Sequence, residues 1–388
     1  MINTRLFTRR LSDLIAQPSV SCTNPQLDMS NRPVIDLLAN WLRDLHFNVE
    51  IQQLEKGKAN LIATRGGGPG GLVLSGHTDT VPCNPDRWQQ DPFQLCERDN
   101  RFYGLGATDM KGFFPVVLAA IERLGDTLNN LQQPLIVLAT ADEESSMSGA
   151  RALAAAGLPK ARYAVIGEPT GLKPIRMHKG IMMESVRIQG LAGHSSNPEL
   201  GHNAMETMHA VIGELLKYRK ELQETYHHAG FTIPTPTLNP GYIHGGDNPN
   251  RICGHCEMHF DLRPVPGMDI DALRNELAKR LIPIGDAHQT PLTLEHLIGG
   301  IDPYEESSSS ELVVTVEKLT GHSAESVAFA TEAPFLQKLG MQTLVMGPGS
   351  IDQAHQPNEF MAQDQVAPAV NIIAALISQF CLRSPSDA

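Results

Sequence analysis

Five stretches of the chain end on a side chain that can hold a metal ion or move a proton. The densest is LVLSGHTD at 72–79, an apolar strand pattern that stops at His77 and Asp79. Side chains two apart on a strand share a side. His77 can therefore offer one nitrogen to a metal while Asp79 accepts the proton on the other and fixes the tautomer. The glycine-rich loop GLGATDMKG at 104–112 delivers Asp109 to the start of a helix. There it either caps that helix or spreads its two oxygens across two ions. The apolar run 135–140 leads into Asp142, Glu143 and Glu144. Successive acids at a strand end repel one another unless solvent or a cation offsets them. Neighbouring side chains point apart, so Glu144 reads as a ligand and Glu143 as the general base toward the attacking water. The run 163–168 again ends on an acid, Glu168, and the run at 343–346 passes through a glycine-rich turn to His355.

Each stretch has a bland reading: a surface pair, a helix cap, a solvated loop, a loop histidine. Together they supply two histidines and several acids from one set of elements. Imidazole with carboxylates suits zinc, or cobalt or manganese. One aspartate with a histidine and a glutamate on either side makes a pair of divalent ions about 3.5–4 Å apart, the arrangement of two-metal hydrolysis. No HExxH motif is present, which excludes a helix-borne single-zinc protease. The GGGPGG run at 66–71 matches a dinucleotide fingerprint in letters only. It lies between two strand patterns, contains Pro69 and opens no helix, so it reads as a hairpin turn. Cys253 and Cys256 resemble half a zinc knuckle. The residues 252–262 alternate as an apolar strand face, which would turn the two thiols to opposite sides.

These residues need a scaffold, and its pattern is legible. Helix and strand periodicities alternate through the first half, with a helix expected at 113–124 and strands at 60–64, 72–75, 135–140 and 163–166. The pattern argues for an α/β domain with a mostly parallel central sheet and ligands beyond the strand ends. From about 180 to 290 the style changes: strands at 185–189 and 251–263 and helices at 202–218 and 270–281 read as a smaller α+β domain. The first style then resumes at 312–319 and 343–346. The reading is one discontinuous domain, 1–179 with 291–388, and an inserted domain at 180–290.

The chain has 388 residues, 41% of them hydrophobic and 19% charged, with a net charge of −12. Two domains are expected at that length. An acidic surface disfavours nucleic acid and anionic lipid as partners. No apolar run reads as long enough to cross a bilayer. The N-terminal residues repeat Leu6, Leu11, Leu14 and Ile15 at helical spacing rather than as a leader. Six cysteines are too sparse for a disulfide scaffold, so a reducing cytoplasm is expected.

In combination and order, SGHTDTVP, GLGATDMKGFF, ADEESSMSGAR, GEPT, GHSSNP, NRICGHCEMHFDLRP, TEAPF and GPGSIDQAHQPNE resemble the M20 metallopeptidase family of zinc exopeptidases and deacylases. The resemblance spans nearly the whole chain. It implies two divalent ions, zinc or cobalt, with His77 and Glu168 on one, Glu144 and His355 on the other, and Asp109 between them. Asp79 and Glu143 keep the roles given above, and a cis peptide bond follows Asp109. The inserted domain becomes a lid that also forms a homodimer. From it His194 would stabilise the developing oxyanion, and Asn250 and Arg263 would hold substrate, Arg263 by its carboxylate. The implied partner is a small acylated amino acid with a free carboxylate. Desuccinylases and dipeptidases of the family share the same core and stay open as alternatives. A non-catalytic small-molecule binder stays open as well.

Overall fold

The computed structural model describes residues 2–383. Strands Leu72–His77, Leu135–Thr140 and Tyr163–Pro169 are buried along their whole length. That burial explains why they read as continuous apolar runs rather than as alternations. They lie in a nine-stranded sheet whose first six strands follow the order Asn48–Gln53, Ala59–Arg65, Leu135–Thr140, Leu72–His77, Tyr163–Pro169, Gln342–Gly347. The last four of these six are mutually parallel and the first two antiparallel. The sheet is thus mixed and mostly parallel. Register sets His77 opposite Thr140, Ser75 opposite Ile166, and Gly347 opposite Pro169. The chain segments bearing His77, Glu143, Glu144, Glu168 and His355 therefore leave the sheet at one edge.

Helix Phe113–Leu124 is buried through nine residues and packs against helix Val366–Ile377 in the same core. The apolar helical stretch Gln363–Leu382 is 20 residues long and meets the length and composition of a membrane span, against the sequence expectation. Val366, Val370, Ile373, Ile377 and Phe380 all sit in the hydrophobic core, so its apolar character is that of a core helix. The glycine run at 66–71 is also corrected: it is not a hairpin. Leu135–Thr140 lies between the two strands that the run connects. The loop passes over that strand's entry, and a Cβ on Gly71 (φ +91°) would meet the Pro134 carbonyl oxygen at 2.2 Å.

The chain divides into two compact units. The first comprises the residues up to Arg176, Glu306–Glu325, and those from Thr331 onward; the second is Met177–Glu305 with Ser326–Ala330. The second unit therefore extends past 290. Strand Leu292–His296 pairs with Met182–Gln189 and completes its four-stranded antiparallel sheet. Helices Ala204–Thr225 and Ile270–Ala287 share a core with that sheet, built on Val186, Ile188, Met258, Phe260, Met208 and Leu277. The strand carrying Arg263 begins at His255, so Cys253 precedes it, and both Cys253 and Cys256 enter this core rather than facing opposite sides.

Candidate metal centre

His77, at the end of its strand, is 1% exposed. Its Nε2 lies 3.0 Å from Asp109 Oδ1 and 3.9 Å from Glu168 Oε1. His355 approaches from the glycine-rich turn after Gln342–Gly347. Its Nε2 lies 3.4 Å from Asp109 Oδ2 and 3.1 Å from both oxygens of Glu144. Asp109 thus shows one oxygen to each imidazole. Two groups result whose ligand atoms lie within 4.8 Å of one another: His77, Asp109 and Glu168, and Asp109, Glu144 and His355. Asp109 does not cap the following helix. Gly112 occupies the cap position, and the Asp109–Met110 peptide bond is cis.

The acceptor nearest His77 Nδ1 is the backbone carbonyl of Asp79 at 3.0 Å, with Asp79 Oδ1 at 3.9 Å. Asp79 Oδ2 accepts the Glu144 backbone N–H at 3.1 Å. Asp79 thereby ties the His77 segment to the Glu144 segment. Glu143 is half-buried. Burial, the Glu168 charge and the Glu144 charge push its carboxyl well above the ordinary range, with His77 opposing. Burial and neighbouring acids raise Glu144 and Glu168 in the same way. Burial would also raise Asp109, but its bonds to His355 and His77 leave it well below the usual range. Bonds to Asp109 and Glu144 lift His355 to about 10. So many acids around two imidazoles make a site of excess negative charge. Glu168 Oε1 and Asp79 Oδ1 are buried without a hydrogen-bond partner. An orphaned carboxylate oxygen inside an oxygen-and-imidazole cluster fits a divalent cation.

The family model for peptidase family M20/M25/M40 matches residues 73–379. The chain belongs to that family. As an M20 member it is a metal-dependent amidohydrolase. It is 50% identical over 377 residues to an acetylornithine deacetylase of Pasteurella multocida, covering 97% of this chain and 98% of that one. It is 49% identical over 386 residues to one of Edwardsiella ictaluri, covering 98% and 100%. Its fold is similar to the aminopeptidase PepT from Bacillus cereus, with a TM-score of 0.76, 17% identity, and coverage of 97% and 99%.

His194, Asn250 and Arg263 belong to the second unit of this M20 chain. His194 is exposed, and its Nδ1 accepts the Ser196 backbone N–H at 3.2 Å. A neutral ring bonded in this way carries its proton on Nε2. The Asn250 carbonyl accepts the Ser195 N–H at 3.0 Å, which sets Asn250 beside the His194 turn. Arg263 Nε donates to Asp261 at 2.9 Å, and the side chain lines a cavity of about 510 Å³ with Lys179 and Phe231.

Three residues escaped the sequence reading. Glu332, 2% exposed, faces the ligand cluster, and burial lifts its carboxyl to about 7. Lys58 pairs with Asp28 at 2.7 Å and Asp142 at 2.8 Å. Glu359 accepts backbone N–H groups of the Asp109 loop. Glu332 and Glu359 lie inside the quoted motifs TEAPF and PNE, so the signal was present without a role attached. Lys58 follows a glycine in a polar turn and carries no such mark.

Proposed function

We propose that this chain removes the acetyl group from N2-acetylornithine, giving ornithine and acetate. His77 and Glu168 would hold one divalent ion and Glu144 and His355 the other, with Asp109 contributing an oxygen to each. The observation that carries the chemistry is Asp109 showing Oδ1 to His77 and Oδ2 to His355 with a glutamate beyond each. The choice of substrate rests on the two deacetylases that are half identical over nearly full length. When bound, the ions supply Lewis acidity at the carbonyl and lower the pKa of water; zinc or cobalt suits the ligand set.

The chain's own residues do the rest. Glu143 takes a proton from the attacking water and returns it to the leaving amine nitrogen. His194 donates Nε2–H to the carbonyl oxygen as negative charge gathers there. Arg263 pairs with the substrate's free carboxylate and Asn250 adds a neutral donor. The second unit acts as a lid and dimerises. Exposed Leu191, Leu200, Met205, Tyr242 and Ile243 on that unit support a self-association surface. The cytoplasm, which suits six free thiols, is the proposed location.

The test is release of ornithine from N2-acetylornithine by cobalt- or zinc-loaded protein, with N-succinyl-diaminopimelate and a dipeptide assayed alongside. A kcat/KM for N2-acetylornithine below that for either alternative would overturn the substrate assignment and leave the amide hydrolase.

A further inference from the structure

Asp109 can serve two ions only if its carboxylate is aimed between them. An aspartate has two side-chain torsions, so most of that aim comes from the backbone of its loop. One side chain grips that backbone. Glu359 is 1% exposed and lies four residues after His355. Its Oε1 accepts the N–H of Thr108 at 2.8 Å and of Asp109 at 3.0 Å, and its Oε2 accepts the N–H of Gly106 at 3.0 Å. The grip extends along both chains. The Glu359 carbonyl accepts the Gly104 N–H at 3.1 Å, and the Phe360 carbonyl accepts the Thr108 hydroxyl at 2.6 Å. Strand Phe360–Ala362 then pairs antiparallel with Arg101–Tyr103.

We infer that Glu359 is a positioning residue for the metal centre: by binding three main-chain amides it locks the Asp109 loop to the segment that carries His355. The inference rests on the reading of Asp109, Glu144 and His355 as ligands of one ion. Asp109 and His355 lie on segments roughly 250 residues apart in sequence, and Glu359, with the Thr108 hydroxyl beside it, joins those segments. A carboxylate suits the task because its two oxygens, each with two lone pairs, accept several buried N–H donors at once. Without it the ion would have to order the loop as it binds, and the lost conformational entropy would be subtracted from its affinity.

The experiment titrates metal-free full-length protein with Co²⁺ by calorimetry and by its visible absorbance. It compares wild type with Glu359→Gln, Glu359→Ala, Glu144→Gln and His355→Ala. Outer partners of ligands are worth about 10–100-fold in metal affinity. Glu359→Ala should weaken the Asp109–Glu144–His355 ion by that factor. Glu359→Gln, which keeps one oxygen for Thr108 and Asp109 but turns an amide N–H toward Gly106, should fall between. Hydrogen exchange at the Gly106, Thr108 and Asp109 amides of metal-free protein should quicken in Glu359→Ala. If Glu359→Ala does not fold, Glu359→Gln carries the same two readouts. Cobalt affinity within twofold of wild type and unchanged amide exchange would overturn the positioning role. Unchanged cobalt binding in Glu144→Gln and His355→Ala would instead overturn the ligand assignment itself.

Discussion

At the scale of single residues, Glu143 and Glu144 separate two kinds of work by identical side chains. Glu144 faces His355 Nε2 through both oxygens, whereas Glu143 has its pKa raised chiefly by burial and by Glu168. In the proposed mechanism Glu143→Gln keeps the ligand set and loses the proton acceptor. Its kcat should drop by about 10²–10⁴-fold with metal content unchanged, because that is what general-base assistance contributes. Glu144→Gln should instead need more metal to reach half-saturation. Elemental analysis of both variants beside their steady-state rates is the check, and equal metal loss in the two would remove the distinction. His194→Ala should depress kcat with little change in KM, and Arg263→Ala should chiefly raise KM.

At the scale of elements, the turn that carries the two glutamates is held by a buried cation. Asp142 has φ +59°. Its side chain binds Lys58, Ser21 and Ser148, and its carbonyl accepts the N–H of Ser146 at 3.1 Å and of Met147 at 2.7 Å. Lys58→Met would leave the half-buried Asp28 and Asp142 without their cation. Breaking a fully buried pair from one side costs about 3–5 kcal/mol, so denaturant titration should show a smaller loss for these partly solvated acids, with Lys58→Arg recovering part of it. In the second unit, His178 is fully buried, bonds the Lys179 carbonyl through Nδ1 at 2.9 Å, and packs against Tyr304. Burial pushes its pKa from 6.5 down to about 4. In the unfolded chain the ring takes up a proton near pH 6.5, and in the folded protein it resists until about pH 4. Stability from this group is therefore complete above pH 6.5 and falls as pH drops to 4, by up to about 3 kcal/mol. His178→Gln should flatten that part of the stability–pH curve. An unchanged slope would mean that other groups set it.

At the scale of the whole molecule, metal held at the acid-rich centre should add to stability. Ions that bind only the folded state stabilise it by mass action, about 2.7 kcal/mol at 100 times the dissociation constant. Chelation should lower the melting temperature as well as abolish turnover, and cobalt or zinc should restore both. A melting curve indifferent to chelator would count against the ligand cluster. Dimerisation through the second unit is tested by mixing. If His194 serves the partner's centre, inactive His194→Ala chains and inactive Glu143→Gln chains should together regain activity. No rescue after demonstrated subunit exchange would leave His194 acting within its own chain.

Much of this is legible in the sequence. Periodicity alone placed helix Phe113–Leu124 and strand Leu135–Thr140 to the residue, because buried elements write their burial into consecutive side chains. The ligand-type residues stood out because strands that run wholly buried must end where charge becomes tolerable. The sheet order was not legible: that Leu135–Thr140 inserts between Ala59–Arg65 and Leu72–His77 is a long-range pairing with no local signature. It turned an apparent hairpin into a crossing loop. Nor could spacing show that Asp109 splits its oxygens between two histidines nearly 280 residues apart, that Lys58 anchors the Glu143 turn, or that Glu359 grips three amides. Those depend on segments distant in sequence meeting at one sheet edge, and only the tertiary packing brings them there.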